Sequence, residues 1–182
     1  MRVCAASLIW LGLAWLSITG ASAQEAAAPT EYQIKAAFLF NFAKFVEWPP
    51  DAFPAPNSPL VIGVLGDNPF GEDLERTVKG KAINTHSFLV KPIHSAAEGT
   101  NCEIVFICSS EKQRLPQIIS CLKSNSVLTV GEMDGFTASG GIINFVIRAN
   151  KVRFEINDDA AKNARLKISS KLTSLAVRPA PG

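Results

Sequence analysis

Very little in this 182-residue chain looks like a catalyst. Histidine occurs twice, as His86 and His94, eight positions apart and without the H-E-x-x-H or Cys/His spacing of a metal site. No G-x-S-x-G elbow presents a nucleophilic serine. The glycines of VIGVLGDNPFG, at 63, 66 and 71, miss the G-x-G-x-x-G spacing that brings backbone against a pyrophosphate, and no phosphate-binding G-x-x-x-x-G-K-[ST] occurs. These absences leave no catalytic residue, no metal ligand and no cofactor to assign. Charge of one sign is lacking too. A formal net charge of +2, without long runs of like charge, gives no footprint for nucleic acid.

Long apolar runs are also missing. The nearest is in MRVCAASLIWLGLAWLSITGASA, where Arg2, a short apolar core over Leu8–Leu16 and Ala21-Ser22-Ala23 form the three parts of a secretory signal peptide cleaved after Ala23. The core is too short for a membrane span, which needs ~20 apolar residues. The reading is therefore an exported, periplasmic chain with a flexible leader over 24–30, one domain over 31–177 and a tail over 178–182. Three cysteines remain after cleavage, Cys102, Cys108 and Cys121, too few to carry the fold. Cys102 and Cys108 stand at opposite ends of one predicted strand, ~20 Å apart at 3.3 Å per residue. The following helix returns Cys121 towards Cys102. Either these two form a bridge that leaves Cys108 free, or three separate thiols are present.

What is present is an alternation of strands and helices. Thr30 caps a helix over Glu31–Trp48 that Pro49-Pro50 stops. LVIGVLG (60–66), residues 83–92, EIVFICS (103–109) and VLTV (127–130) read as strands. PFGEDLERTVKG (69–80), capped by Asp67 or Asn68, and SEKQRLPQIISCLK (110–123) read as helices, with Pro116 implying a kink. GEMDGFTASGG (131–141) reads as a turn with a short helix, and 142–157 as two strands joined near Ala149-Asn150. Residues 158–177 close with one broken helix or two short ones, for which Asp158 and Asp159 supply cap and dipole charge. This pattern predicts a three-layer, Rossmann-like α/β sandwich, with a mostly parallel sheet and a C-terminal β-hairpin. Arg148, Lys151 and Arg153 read as a charged strand edge that resists aggregation.

One stretch stands out. In FLFNFAKFVEWP (38–49) five of the twelve residues are aromatic. At 100° per residue Ile34, Phe38, Phe42 and Phe45 share one arc, extended by Leu39, Ala43 and Val46, and this face is expected in the core. Phe40 falls on the polar side, between Gln33, Lys44 and Glu47. It is either covered by another element or exposed as a partner contact.

Taken in order, EYQIKAAFLFNFAKFVEWP, VIGVLGDNPFG, CEIVFICSSE, VLTVGEMDGF, GGIINFVIRANKVRFEIN and LKISSKLTSLA resemble the YfiR family of small periplasmic proteins over roughly 31–177. The resemblance implies a regulator rather than an enzyme. It implies a homodimer that binds the periplasmic sensory domain of an inner-membrane diguanylate cyclase, or a similar membrane sensor, and represses cyclic-di-GMP synthesis and biofilm formation. It also implies release through an outer-membrane lipoprotein. Cys102 matches a family cysteine that opens the corresponding strand, but the partner of that cysteine and a second pair have no counterpart here. The competing expectation is a small-ligand domain with a crevice at the strand ends, near Gly66, Asp67, Asn68 and Phe70 and near Gly131 and Phe136.

Overall fold

Thr30 starts the first helix by a reciprocal cap: its hydroxyl accepts from the Gln33 amide at 3.3 Å, and the Gln33 side chain accepts from the Thr30 amide at 3.1 Å. The computed structural model describes residues 28–178. The signal peptide with its cleavage after Ala23, most of the 24–30 leader and the tail beyond 178 lie outside the described residues.

Helix α1 (Glu31–Phe45) ends three residues earlier than the sequence predicts. Val46, β-branched and extended, leaves the helix with Glu47 as β1, which pairs antiparallel with Lys167–Ile168 (β9). The inward face is also rotated from the predicted arc. Lys35, Ala36, Leu39, Phe42 and Ala43 are buried, while Ile34, Phe38 and Phe45 flank them half-buried.

Next come β2 (Leu60–Leu65), α2 (Asp73–Val78), β3 (Ala82–Ile83), β4 (His86–Ile93), α3 (Ala96–Gly99) and β5 (Ile104–Ile107). They are followed by α4 (Leu115–Leu122), β6 (Leu128–Gly131), β7 (Ile143–Arg148), β8 (Lys151–Ile156), α5 (Asp158–Asn163), β9 and α6 (Ser170–Thr173). The large sheet runs β3-β4-β2-β5-β6-β7-β8, parallel from β4 through β7 and antiparallel at both ends. The parallel strands follow the flavodoxin-type order 2-1-3-4-5, whose switch point lies between β2 and β5. Ile104 and Phe106 join the core under α1, whereas Val105 and Ile107 join the core under α4. Alternation along one strand thus feeds two cores, giving the three-layer α/β architecture.

Several predicted boundaries move for local reasons. Asn68 does not cap α2; its side chain instead closes a turn onto the Phe70 amide at 2.9 Å, and α2 starts only at Asp73. Pro116 sits in the first turn of α4, where its missing amide costs nothing, behind a 3₁₀ segment over Ser109–Arg114. Between β6 and β7 the expected short helix is replaced by turns wrapped around Phe136. A Cβ on Gly131 or Gly141 would lie 2.5 or 2.1 Å from that fully buried ring. Asn157 caps α5, leaving Asp158 and Asp159 in its first turn.

Glu103 enters β5 buried, accepting the Val61 amide at 2.6 Å, and burial raises its carboxyl above the usual carboxylate range against that hydrogen bond. An acid whose folded pKa is raised gives stability that is present at low pH. That contribution is lost as pH rises from the unfolded value, near ~4.3, through the folded one. Glu103→Gln keeps an acceptor for Val61 and removes the charge. Urea unfolding at pH 4 and pH 7 should therefore show the natural protein losing stability relative to this variant as pH rises, and parallel behaviour of the two would contradict the assignment.

Candidate functional site

The carboxyl ends of parallel strands are where open α/β sheets bind ligands. At the end of β6 a groove of about 670 Å³ lies between the first turn of α1, the Glu132–Ala138 turns and the outer half of β7. Its centre is Lys35, only 4% exposed. The Lys35 ammonium is paired with Glu31 one helical turn earlier and with Glu132 at 2.5 Å. It also stands 4.6 Å from the centre of the Tyr32 ring and 5.9 Å from that of Phe145. The Tyr32 hydroxyl donates to the second oxygen of Glu132 at 3.3 Å.

Burial alone would lower the Lys35 pKa. Hydrogen bonds and charge from Glu132 and Glu31 outweigh it and hold the amine above the ordinary ammonium range. A lysine kept protonated in this way is a poor nucleophile or base. Burial and the neighbouring Glu132 charge raise the Tyr32 phenol as well. Asn144, Glu155 and Arg148 continue the lining, with Arg148 3.6 Å from Glu155. Four carboxylates, Glu31, Glu132, Asp134 and Glu155, thus face two basic groups, Lys35 and Arg148. The groove has a negative balance. Among the described residues no three of His, Cys, Asp and Glu are placed to hold a metal ion.

The residues expected to line a crevice at the strand ends do other work. At the switch point the Ser110 hydroxyl accepts the Asp67 amide at 3.0 Å, and a Cβ on Gly66 (φ +96°) would meet that oxygen at 2.5 Å, so the crevice there is filled. Asn68 is exposed in its turn. Phe70 is core, edge-on to Phe106 at 4.8 Å and to Tyr32 at 5.5 Å, and so supports the groove wall from behind. Phe136 is core packed on Gly131. None of the six lines the groove.

Phe40 is half-buried against Phe88, ring centres 5.5 Å apart, with the Lys81 ammonium 4.4 Å above its face. It lies on the same helix as Lys35 but does not line the groove. His86 stacks on Phe53 at 3.9 Å, and His94 is exposed beyond β4.

Of the two cysteine arrangements expected, the structure has the three separate thiols and no Cys102–Cys121 bridge, because α4 buries Leu115, Ile118, Ile119 and Leu122 and turns Cys121 outward. Cys102 is packed against Gly63. Burial, then the charges of Glu132, Asp67 and Glu111, push the Cys108 thiol up to about 12, and burial raises Cys102. Alkylation of the folded mature chain without reductant should therefore label Cys121 alone, with the other two reacting only on unfolding. Mass spectrometry showing three equally fast labels, or none, would contradict this arrangement.

The groove was visible in the sequence only as a lysine out of place. Lys35 lies four residues before Leu39 and seven before Phe42, on the apolar stripe, with Glu31 one turn ahead. Glu132, Asn144 and Glu155 gave no local signal.

The sequence model of the YfiR/HmsC-like family (DUF4154) matches residues 32–177. Among solved structures, the fold is similar to a conserved domain protein from Vibrio cholerae O1 biovar El Tor (TM-score 0.57, 10% identity, 82% of this chain and 60% of that one). It is also similar to an ABC domain in complex with L-Trp from Streptococcus pneumonia (TM-score 0.51, 12% identity, 81% and 59%). The chain thus spans about three fifths of each neighbour, and at these identities the likeness concerns fold alone. No curated protein matches the sequence.

Proposed function

The chain belongs to the YfiR/HmsC-like family, and from that premise we propose that it binds the periplasmic sensory domain of an inner-membrane diguanylate cyclase and represses cyclic-di-GMP synthesis. At the family level these proteins are periplasmic regulators of diguanylate cyclases rather than enzymes. The observation that carries the reading is the extent of the match. Residues 32–177 include both cores, Phe40 and all of the groove lining except Glu31, which supports reading the whole domain as the regulatory unit. The protonated, doubly paired Lys35 supports it, since an ammonium held above its ordinary range is unsuited to act as a base or nucleophile on a substrate. Export with cleavage after Ala23, on the signal-peptide pattern, and a homodimeric binding form and release by a competing outer-membrane lipoprotein, on the strength of the resemblance, belong to the same proposal.

Repression follows by population shift: the regulator binds one state of the sensor better than the other. Moving a sensor from 1:99 to 99:1 needs roughly a 10⁴-fold difference in affinity. Isothermal titration of the purified mature chain with the periplasmic sensory domain of a membrane diguanylate cyclase from the same organism should give a saturable complex. Absence of heat at micromolar concentrations would sink the reading. Phe40→Ser, at a half-buried position, should cost about 1–2 kcal/mol of stability, keep the fold and weaken that complex; unchanged affinity would remove Phe40 from the interface.

The groove's place at the strand ends favours a second reading, a small-ligand site. Its ligand would touch Glu132, Met133, Asp134, Gly135 and Thr137 in place of Gly66, Asp67, Asn68, Phe70, Gly131 and Phe136. A thermal-shift screen with amino acids and nucleotides decides it, because a specific ligand raises the melting temperature by mass action.

A further inference from the structure

We propose that the outer half of β7 is a docking edge for an extended, basic segment of a protein partner, which adds as a strand beside Phe145–Ile147 and places a lysine or arginine side chain among Glu31, Glu132, Asp134 and Glu155. Strand β6 stops at Gly131, opposite Asn144, whereas β7 continues to Arg148. The ladder stops because the Met133 amide, next in line, is taken by the Asn144 side chain at 3.0 Å, which turns the chain away from β7.

The hairpin register shows what this leaves open. Ala149 and Asn150, both at positive φ, form a two-residue turn, so the flanking Arg148 and Lys151 are a hydrogen-bonded pair. Bonded pairs alternate along an antiparallel ladder, so Val146 and Asn144 also bond to β8. Ile147 and Phe145 aim their backbone groups the other way, towards the groove. Beyond the last contact with Gly131, the Phe145 carbonyl and both backbone groups of Ile147 have no strand beside them, and no backbone bond from another described segment reaches them.

Natural sheets cover or blunt such an edge. At the other flank of this hairpin the Val177 amide donates to the Phe154 carbonyl of β8 at 2.9 Å. On the groove side the edge stays open next to Ile147, which is 50% exposed. Strand addition there would supply main-chain hydrogen bonds, with specificity from alternate side chains. The charge of the groove selects the class of those side chains. Lys35 is already taken by Glu31 and Glu132, and Arg148 lies by Glu155, so the surplus is carboxylate.

The probe is a capped nonapeptide of alternating valine and arginine, with a control carrying glutamate for arginine, titrated into the ¹⁵N-labelled mature chain. The arginine peptide should bind with its largest amide shift at Ile147, and the glutamate peptide at least tenfold more weakly. Ile147→Pro removes the outward amide without touching the bonds to β8 and should lower affinity at least tenfold. Asp134→Asn, at an exposed position that carries no fold risk, should lower it severalfold. No binding, equal binding of both peptides, shifts centred on another strand, or full affinity in Asp134→Asn would overturn the proposal. Should Ile147→Pro fail to fold, the shift map and Asp134→Asn decide alone.

The inference rests on the reading that this protein acts by binding a partner, yet the two can fail separately. A sensory domain that binds without slowing hydrogen exchange at the Ile147 amide sinks the docking edge. A peptide that binds at Ile147 while every sensory domain fails sinks the regulatory reading.

Discussion

Replacing Lys35 with methionine is expected to destabilise the protein by about 3–5 kcal/mol, the cost of breaking a buried ion pair from one side. Glu132, whose side chain is 10% exposed, would keep its charge beside the Tyr32 hydroxyl without a cation. The comparison that isolates the cause is Lys35→Met with Glu132→Gln. This pair removes both charges and should recover most of the loss, because a buried pair is nearly neutral against well-packed uncharged groups. The pH dependence has a definite sign. Lys35 is held above the ordinary ammonium range, so its contribution is complete below the unfolded lysine value, near ~10.4, and disappears only as pH rises through the folded one. At neutral pH the natural protein should be flat in this respect. Lys35→Met should instead gain stability as pH falls into the acid range, where protonation removes the uncompensated charge. Denaturant unfolding of the three proteins at pH 5 and pH 7 checks both statements. A single variant as stable as the double one would show that Lys35 is not the groove's counter-charge.

The second large effect is expected from Phe42→Ala, again about 3–5 kcal/mol. Phe42 is fully buried and touches Phe38, Phe145 and Phe154, with ring centres 5.9, 5.6 and 5.0 Å away. These rings join α1 to the β7–β8 hairpin, and each buries roughly 150–250 Å². Removing the middle one leaves a cavity between the two elements that form the groove. For a domain of this size the melting temperature should fall by roughly 10 °C or more, at ~2–4 °C per kcal/mol. Phe42→Leu, which fills most of the space, should lose far less. Because Lys35 lies seven residues earlier on the same face of α1, the alanine variant should also loosen the groove. Calorimetry with hydrogen exchange at the first turn of α1 measures both, and a small loss confined to residue 42 would contradict the coupling.

The sequence carried the fold well where its signals are local or periodic. Three buried strands, β2, β5 and β6, the cap at Thr30, the tight turn at Ala149-Asn150 and the three-layer order follow from apolar runs, capping chemistry and turn residues. It misled where a distant partner decides. Val46 and Glu47 look helical until Lys167–Ile168 offers them a strand, and Asn68 looks like a cap until the Phe70 amide takes its side chain. Pro116 reads as a kink only while the preceding 3₁₀ segment is unseen.

The candidate site was the least legible part. The expectation of a crevice at the strand ends chose residues that do not line the groove: Phe70, Gly131 and Phe136 pack inward, and Gly66, Asp67 and Asn68 form an exposed turn. Phe70 and Phe136 are large rings beside glycines, and that combination describes close packing as well as it describes a ligand cradle. The groove depends on Lys35, Glu132, Asn144 and Glu155, drawn from four separate segments, and no spacing along the chain relates them. Family resemblance supplied the function class; it could not supply the groove.

The account stands or falls on action by contact. The direct measurement is cyclic-di-GMP production by a membrane diguanylate cyclase of the same organism in proteoliposomes with its sensory domain outward, followed as purified mature chain is added. The predicted result is a saturable fall in synthesis, weakened by Phe40→Ser and by Ile147→Pro. Undiminished synthesis at concentrations that saturate binding would contradict it.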